Sequence, residues 1–223
     1  MLLYMIKLFD FLIALTALLL LSPVLLVLAL VVHLDSRGGA FFRQWRVGRN
    51  GKDFRLWKFR TMYVQATDPR QLTVGNNDVR ITRAGAFLRK YKLDELPQLY
   101  NVLKGDMSMV GPRPEVRKYV NLYTLQQLQV LQVKPGITDI ASLVFSNESS
   151  LLENVPDPET FYTGRIMPLK IRFNKVYILN HSIRNYFLII GWSFLRVLHI
   201  TITRLRQSEL LCRALISSEP HKD

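Results

Sequence analysis

FLIALTALLLLSPVLLVLALVV, residues 11–32, carries no charged side chain. As one helix it would extend about 33 Å, against a hydrocarbon layer of roughly 30 Å. It is long for a signal peptide, and no small-x-small cleavage site precedes HLDSRGG. Ser22 and Pro23 stand in its middle. Proline removes a backbone donor and crowds the carbonyl four residues back, so a break is expected there. Two arrangements follow. A kinked helix could cross the bilayer, or a re-entrant hairpin could enter and leave on one side. Physics alone favours the plain span, the commoner arrangement.

The flanking charge bears on the choice. Residues 37–60 hold Arg37, Arg43, Arg46, Arg49, Lys52, Arg55, Lys58 and Arg60 against a single acid, Asp53. Such a cluster belongs on the cytoplasmic side. Lys7 precedes the apolar run, which leans toward placing both ends on that side. The whole chain of 223 residues has 30 Lys and Arg against 17 Asp and Glu, a formal charge of +13, yet is 49% hydrophobic. The basic balance suits nucleic acid, nucleotide phosphates or an anionic membrane; the apolar excess favours the membrane. Cys212 is the single cysteine, which excludes an intramolecular disulfide and a cysteine zinc site. His33, His181, His199 and His221 have no metal-ligand spacing.

Beyond the apolar run the pattern is mainly helical with one small β-hairpin. Asn50-Gly51 is a turn signal between FFRQWRV and DFRLWKF, because both residues tolerate positive φ. Residues 64–80 are turn-rich and read as a surface loop. Leu96, Leu99, Tyr100 and Leu103 lie at helical spacing, with Gly105 as the stop. Pro97 fits only a first turn, so that helix should begin close to Asp94. A further helix is expected from Pro114 to about Gln132, and residues 139–163 read as loop. Helical spacing returns at Leu169–Asn180. YFLIIGWSFL, residues 186–195, is too short to span and reads either as an interfacial amphipathic helix or as a core helix.

Chemistry concentrates at KLDELPQL, residues 92–99. Asp94 and Glu95 are adjacent acids among the cations Arg89, Lys90 and Lys92, with Lys58, Arg60, Arg80, Arg83 and Arg113 at other turns or stiff segments. Arginine forks clamp phosphates, and a carboxylate can attack phosphorus to form an acyl phosphate. A divalent ion bridging carboxylate and phosphate oxygens would complete a phosphoryl-transfer site. The bland alternative is an Asp94 N-cap, worth about 1 kcal/mol, with Glu95 favouring the helix dipole.

The linked set KFRTM (58–62), LDELPQ (93–98) and VGPRP (110–114), with VKPGIT at 133–138, resembles the monotopic phosphoglycosyl transferases, bacterial sugar transferases that act on polyprenyl phosphates. The resemblance covers most of residues 7–138. It implies transfer of a phospho-sugar from a UDP-sugar to polyprenyl (undecaprenyl) phosphate, giving polyprenyl-diphosphate-sugar and UMP, at the start of glycoconjugate assembly. It implies Asp94 as nucleophile, Glu95 as its partner, Mg²⁺ held at both, and phosphate contacts from Arg89, Arg113, Lys58, Arg60 and Arg80. It also reverses the choice at Ser22-Pro23, implying a re-entrant hairpin. The expected organisation is a membrane hairpin at 1–36, a catalytic domain at 37–206 on the cytoplasmic face of the inner membrane, with interfacial helices, and a tail at 207–223. The partners are the UDP-sugar, the polyprenyl phosphate and the phospholipid membrane, without nucleic acid; a homodimer is allowed. Two departures stand out: Gly39-Ala40 replaces Gly-Pro, and no arginine follows PGIT. The rival is a non-enzymatic membrane-anchored basic scaffold, in which Asp94 and Glu95 only stabilise a helix.

Overall fold

The computed structural model describes residues 2–64, 78–145, 151–153 and 155–197. Most of the turn-rich stretch expected at 64–80, part of the 139–163 loop and the whole 207–223 tail therefore lie outside the described residues. Helix α1 runs from Leu2 to Asp35 and is long and apolar enough to cross a membrane. It continues through Pro23, where the sequence leads one to expect a break. The reason is local. Pro23 has no N–H for the carbonyl four residues back, that of Leu19, and the Ser22 hydroxyl donates to that carbonyl at 2.8 Å instead. In an apolar medium an orphaned carbonyl would cost several kcal/mol.

One stripe of α1 faces the rest of the protein. Ile6, Asp10, Ala14 and Val32 are buried, and Ala17, Leu18, Leu25, Leu28 and Ala29 pack partly against the body. The other faces expose Leu19, Leu20, Val24, Leu26, Val27 and Leu30. Asp10 accepts from the Ser108 hydroxyl at 2.9 Å, the Met109 N–H at 2.8 Å and the Tyr186 hydroxyl at 2.8 Å. At the other end Asp35 accepts from the Ala84 N–H at 3.1 Å. Both ends of α1 are thus fastened to one body.

Strands β1 (Phe41–Val47) and β2 (Asp53–Phe59) form the expected antiparallel hairpin, with Phe41 opposite Phe59 and Val47 opposite Asp53. Asn50 (φ 57°) and Gly51 (φ 74°) make its turn. Alternation sends Phe54 and Leu56 into a core with Ala14, Leu99, Val102 and Met107. Helix α2 (Arg83–Lys90) is capped by Thr82, whose hydroxyl accepts from the Gly85 N–H at 2.9 Å. A 3₁₀ turn, Leu93–Glu95, leads into α3 (Gln98–Lys104), which stops at Gly105 with φ 89°.

Strand β3 (Ser108–Val110) pairs in parallel with β4 (Gly136–Thr138). A Cβ on Gly136 would sit 2.6 Å from the Gly111 carbonyl oxygen and 2.7 Å from Val110 C, so the two glycines let the VGPRP and KPGIT segments touch. The single helix expected at 114–132 is instead a short α4 (Arg117–Val120), a turn and a 3₁₀ segment, Gln127–Gln132. A reciprocal cap between Thr124 and Gln127 restarts the chain there. The region read as loop holds α5 (Ile140–Val144), capped by Asp139, and α6 (Pro158–Phe161). A π-helical turn, Tyr162–Ile166, follows and runs into α7 (Met167–Leu179). Helix α8 (Ile183–Val197) covers YFLIIGWSFL; Tyr186 and Ile189 are buried, as in a core helix, while Phe187, Leu188 and Phe194 are exposed.

Candidate active site

Lys92 takes a left-handed conformation (φ 56°), unusual for a residue with a side chain, and turns the chain into the Leu93–Glu95 segment. The Glu95 and Leu96 amides bond the carbonyls of Lys92 and Leu93, at 3.4 and 3.3 Å. The turn therefore closes on its own backbone, and the alternative of an Asp94 N-cap is not realised; α3 itself starts only at Gln98, with Pro97 in the cap position and no side-chain cap. Asp94 is 8% exposed, and its Oδ1 is buried without a hydrogen-bond partner.

Glu95 has the opposite environment. The Lys58 ammonium donates to Oε1 at 2.9 Å, Arg113 Nη1 donates to Oε2 at 3.1 Å, and Arg113 Nη2 also donates to Oε1. The two neighbouring acids are consequently driven apart. Burial, then the adjacent Glu95 charge, pushes the Asp94 carboxyl up. Burial alone would raise Glu95 too, but Arg113 and Lys58 outweigh it and hold Glu95 well below the usual carboxylate range. Burial pulls the Lys58 ammonium down, with Glu95 opposing. The result is one carboxylate neutralised by cations and a second raised by burial and by its neighbour, a separation also met in the acid pairs of active sites.

The other expected phosphate ligands are placed variously. Arg89, half-buried in the last turn of α2, brings its charge to bear on Asp94. Arg80 forks onto Asp78, at 2.6 Å between Nη2 and Oδ2. Arg60 turns away to the end of α1, donating to the carbonyls of Ser36 at 2.8 Å, Val32 at 3.3 Å and Arg37. It caps there the C-terminal carbonyls of α1, since last-turn carbonyls lack intrahelical donors.

A second charged cluster stands behind Arg113. It joins Arg46, Glu115, Tyr162 and Lys170, from β1, the end of VGPRPE, the π turn and α7. The sequence reading named none of them as site residues. One signal was available: with the turn at Asn50-Gly51, Phe42 pairs with Lys58 and Arg46 with Phe54, which puts Arg46 on the Lys58 face.

A divalent ion fits the dyad through Asp94, whose orphan oxygen is a ready ligand; Mg²⁺ commonly takes one or two carboxylates plus substrate phosphates. Glu95 would have to exchange a cation contact to join it. Among the described residues no group of three or more His, Cys, Asp or Glu side chains gathers anywhere, the dyad included.

Residues 2–200 match the model of the family described as bacterial sugar transferase. The chain is 38% identical over 200 residues to a UDP-glucose:undecaprenyl-phosphate glucose-1-phosphate transferase of Klebsiella pneumoniae, covering 88% of this chain and 39% of that protein. It is 41% identical over 138 residues to a UDP-N-acetylgalactosamine-undecaprenyl-phosphate N-acetylgalactosaminephosphotransferase of Aeromonas hydrophila, covering 60% of this chain and 33% of the relative. An uncharacterized sugar transferase, EpsL of Bacillus subtilis, is 46% identical over 140 residues, 61% of this chain and 67% of its own length. The chain thus spans about two fifths of the Klebsiella relative it matches. A match over nearly the whole chain, reaching from the apolar helix through the acid dyad and VGPRP, establishes that this protein belongs to the bacterial sugar transferase family.

Proposed function

We propose that the protein transfers a phospho-sugar from a UDP-sugar to a polyprenyl phosphate through Asp94. The observation that carries this is the buried, unpartnered Asp94 oxygen beside a Glu95 already neutralised by Lys58 and Arg113. An Asp94 oxygen attacks the β-phosphorus, and the bond from that phosphorus to the bridging oxygen breaks, so UMP leaves with the electron pair. The polyprenyl phosphate oxygen then attacks the same phosphorus and returns Asp94 as a carboxylate. No proton need move in either displacement. The cations Arg89, Lys58 and Arg113 lie within the same electrostatic neighbourhood and favour the charge gathered there. Mg²⁺ held by Asp94 and Glu95 with the diphosphate would neutralise charge and polarise the phosphorus. The names of the relatives, which include UDP-glucose and undecaprenyl phosphate, support this substrate pair.

The same reading places α1 as a re-entrant element on the cytoplasmic leaflet of the bacterial inner membrane, where the body can meet lipid-borne phosphate. The fastening of both ends of α1 to one body supports it. The test is UMP release from a panel of UDP-sugars with undecaprenyl phosphate. Wild type should release UMP with at least one sugar, and Asp94→Asn with none. Near-normal turnover by Asp94→Asn would sink the nucleophile, and a wild type inert on every sugar would favour the scaffold.

A further inference from the structure

Arg113 lies between Pro112 and Pro114, whose rings lock φ, so its main chain moves as one stiff piece. Its own N–H donates to Asp139 Oδ2 at a long 3.4 Å. On one side the Pro112 carbonyl accepts from the Gly136 N–H at 3.0 Å; on the other the piece is held at Glu115. The Glu115 carbonyl accepts from the Val47 N–H at 2.9 Å, and the Pro114 carbonyl accepts from Arg46 Nη1 at 3.2 Å. The Glu115 carboxylate accepts from the Tyr162 hydroxyl and lies 3.8 Å from Lys170 Nζ and 3.7 Å from Arg46 Nη1. Tyr162 is 2% exposed and Lys170 7%. Lys170 Nζ also donates to the Tyr162 oxygen at 3.4 Å.

We propose that Glu115, held by Tyr162 and Lys170, is a positioning residue that sets the Arg113 fork on Glu95. This rests on the function proposed above. Two physical effects converge. The first is geometric: a stiff Pro-Arg-Pro unit bolted at Glu115 cannot swing, and a bidentate fork needs a fixed plane. The second is electrostatic: Arg46 faces Arg113, and Glu115 supplies the negative charge that offsets their repulsion. Tyr162 opens the π-helical turn, a distortion that often marks a functional position and here aims the hydroxyl at the carboxylate.

The experiment is a double-mutant cycle on the full chain. Tyr162→Phe removes one hydroxyl, and Glu115→Gln keeps the side-chain volume. Each is made alone and with Arg113→Lys, which keeps the charge and loses the fork. kcat/KM is read from UMP release with the UDP-sugar that wild type accepts. Melting temperature is read in parallel. In the wild-type background each substitution lowers kcat/KM about tenfold, a magnitude common for coupled neighbours. In the Arg113→Lys background the further loss is under about twofold, while the drop in melting temperature is the same in both. Equal fold losses in the two backgrounds would overturn the positioning role and assign the cluster to packing alone. So would full activity of both single variants. A wild type that releases no UMP from any UDP-sugar overturns the proposed function, and this inference with it, which separates the two failures.

Discussion

At the scale of the single residue, Asp94 is a carboxylate placed where a carboxylate is unstable. It is buried, has an orphan oxygen and stands beside a second acid. A carboxyl whose folded pKa lies above its unfolded value favours the folded state at low pH, and that benefit is lost as pH rises through the folded pKa. At neutral pH the ionised group therefore burdens the fold. Asp94→Asn, which on the proposed mechanism ends turnover, should raise the melting temperature at pH 7.5 by about 2–4 °C, and by less at pH 4, in paired thermal scans. Function and stability oppose each other at such sites. If Asp94 is the nucleophile proposed above, its raised pKa sets the acid limb of the rate profile. Glu95→Gln removes the neighbouring charge that helps raise Asp94, so the acid limb of its residual activity should move to lower pH. An unmoved or upward-moved limb would refute the coupling. The sequence singles out the two acids, but does not show how their environments divide. That division depends on Lys58 and Arg113, which come from positions 37 and 18 residues away and reach Glu95 only after folding.

At the scale of the element, the legible parts were those with a local cause. The Asn50-Gly51 turn, the Gly105 stop and the helical spacing after Leu169 all stand as read. The helix expected across 114–132 did not form, because the segment closes at Asn121 and restarts through the Thr124–Gln127 cap. Arg60 was misplaced for the opposite reason: its carbonyl partners lie 22 to 28 residues earlier, and nothing local announces them. The short β3–β4 pair was equally hidden, since parallel strands pair across a long crossover. Its requirement for glycine is testable. Gly136→Ala drives a Cβ into the Gly111 backbone and should destabilise the fold by about 3 kcal/mol or more, carrying Arg113 out of place. Gly39→Ala meets nothing within 4 Å and should leave the melting temperature unchanged. Equal effects at the two glycines would remove the close approach as the cause.

At the scale of the whole molecule, the decisive fact is that α1 meets the body at both ends. Asp10 is held by Ser108, Met109 and Tyr186, and Asp35 by Ala84, while Arg60 covers the final carbonyls. Residues 10 and 35 are 25 apart, about 37 Å along a straight helix, more than the hydrocarbon thickness. If α1 crossed the bilayer squarely, one of these contacts would have to lie on the far side from the other, yet both belong to one body. Abandoning the Asp10 contacts would strip three hydrogen bonds from a buried acid, at a cost of several kcal/mol. Entry and exit on one face, as proposed above, would keep every contact and leave the exposed leucines of the other faces to lipid. The prediction is made in a Cys212→Ser background with single cysteines at position 4 or position 40. Both should react with a membrane-impermeant thiol reagent in inverted vesicles, and neither in intact spheroplasts. Labelling at position 4 from the outer side would restore the plain span and would require the Asp10 contacts to open. Asp10→Leu extends the test. It keeps the helix apolar but removes the tether, so a fraction of the chains should then expose position 4 on the outer side, whereas a topology set by Lys7 and the basic hairpin alone would leave the labelling as in the parent.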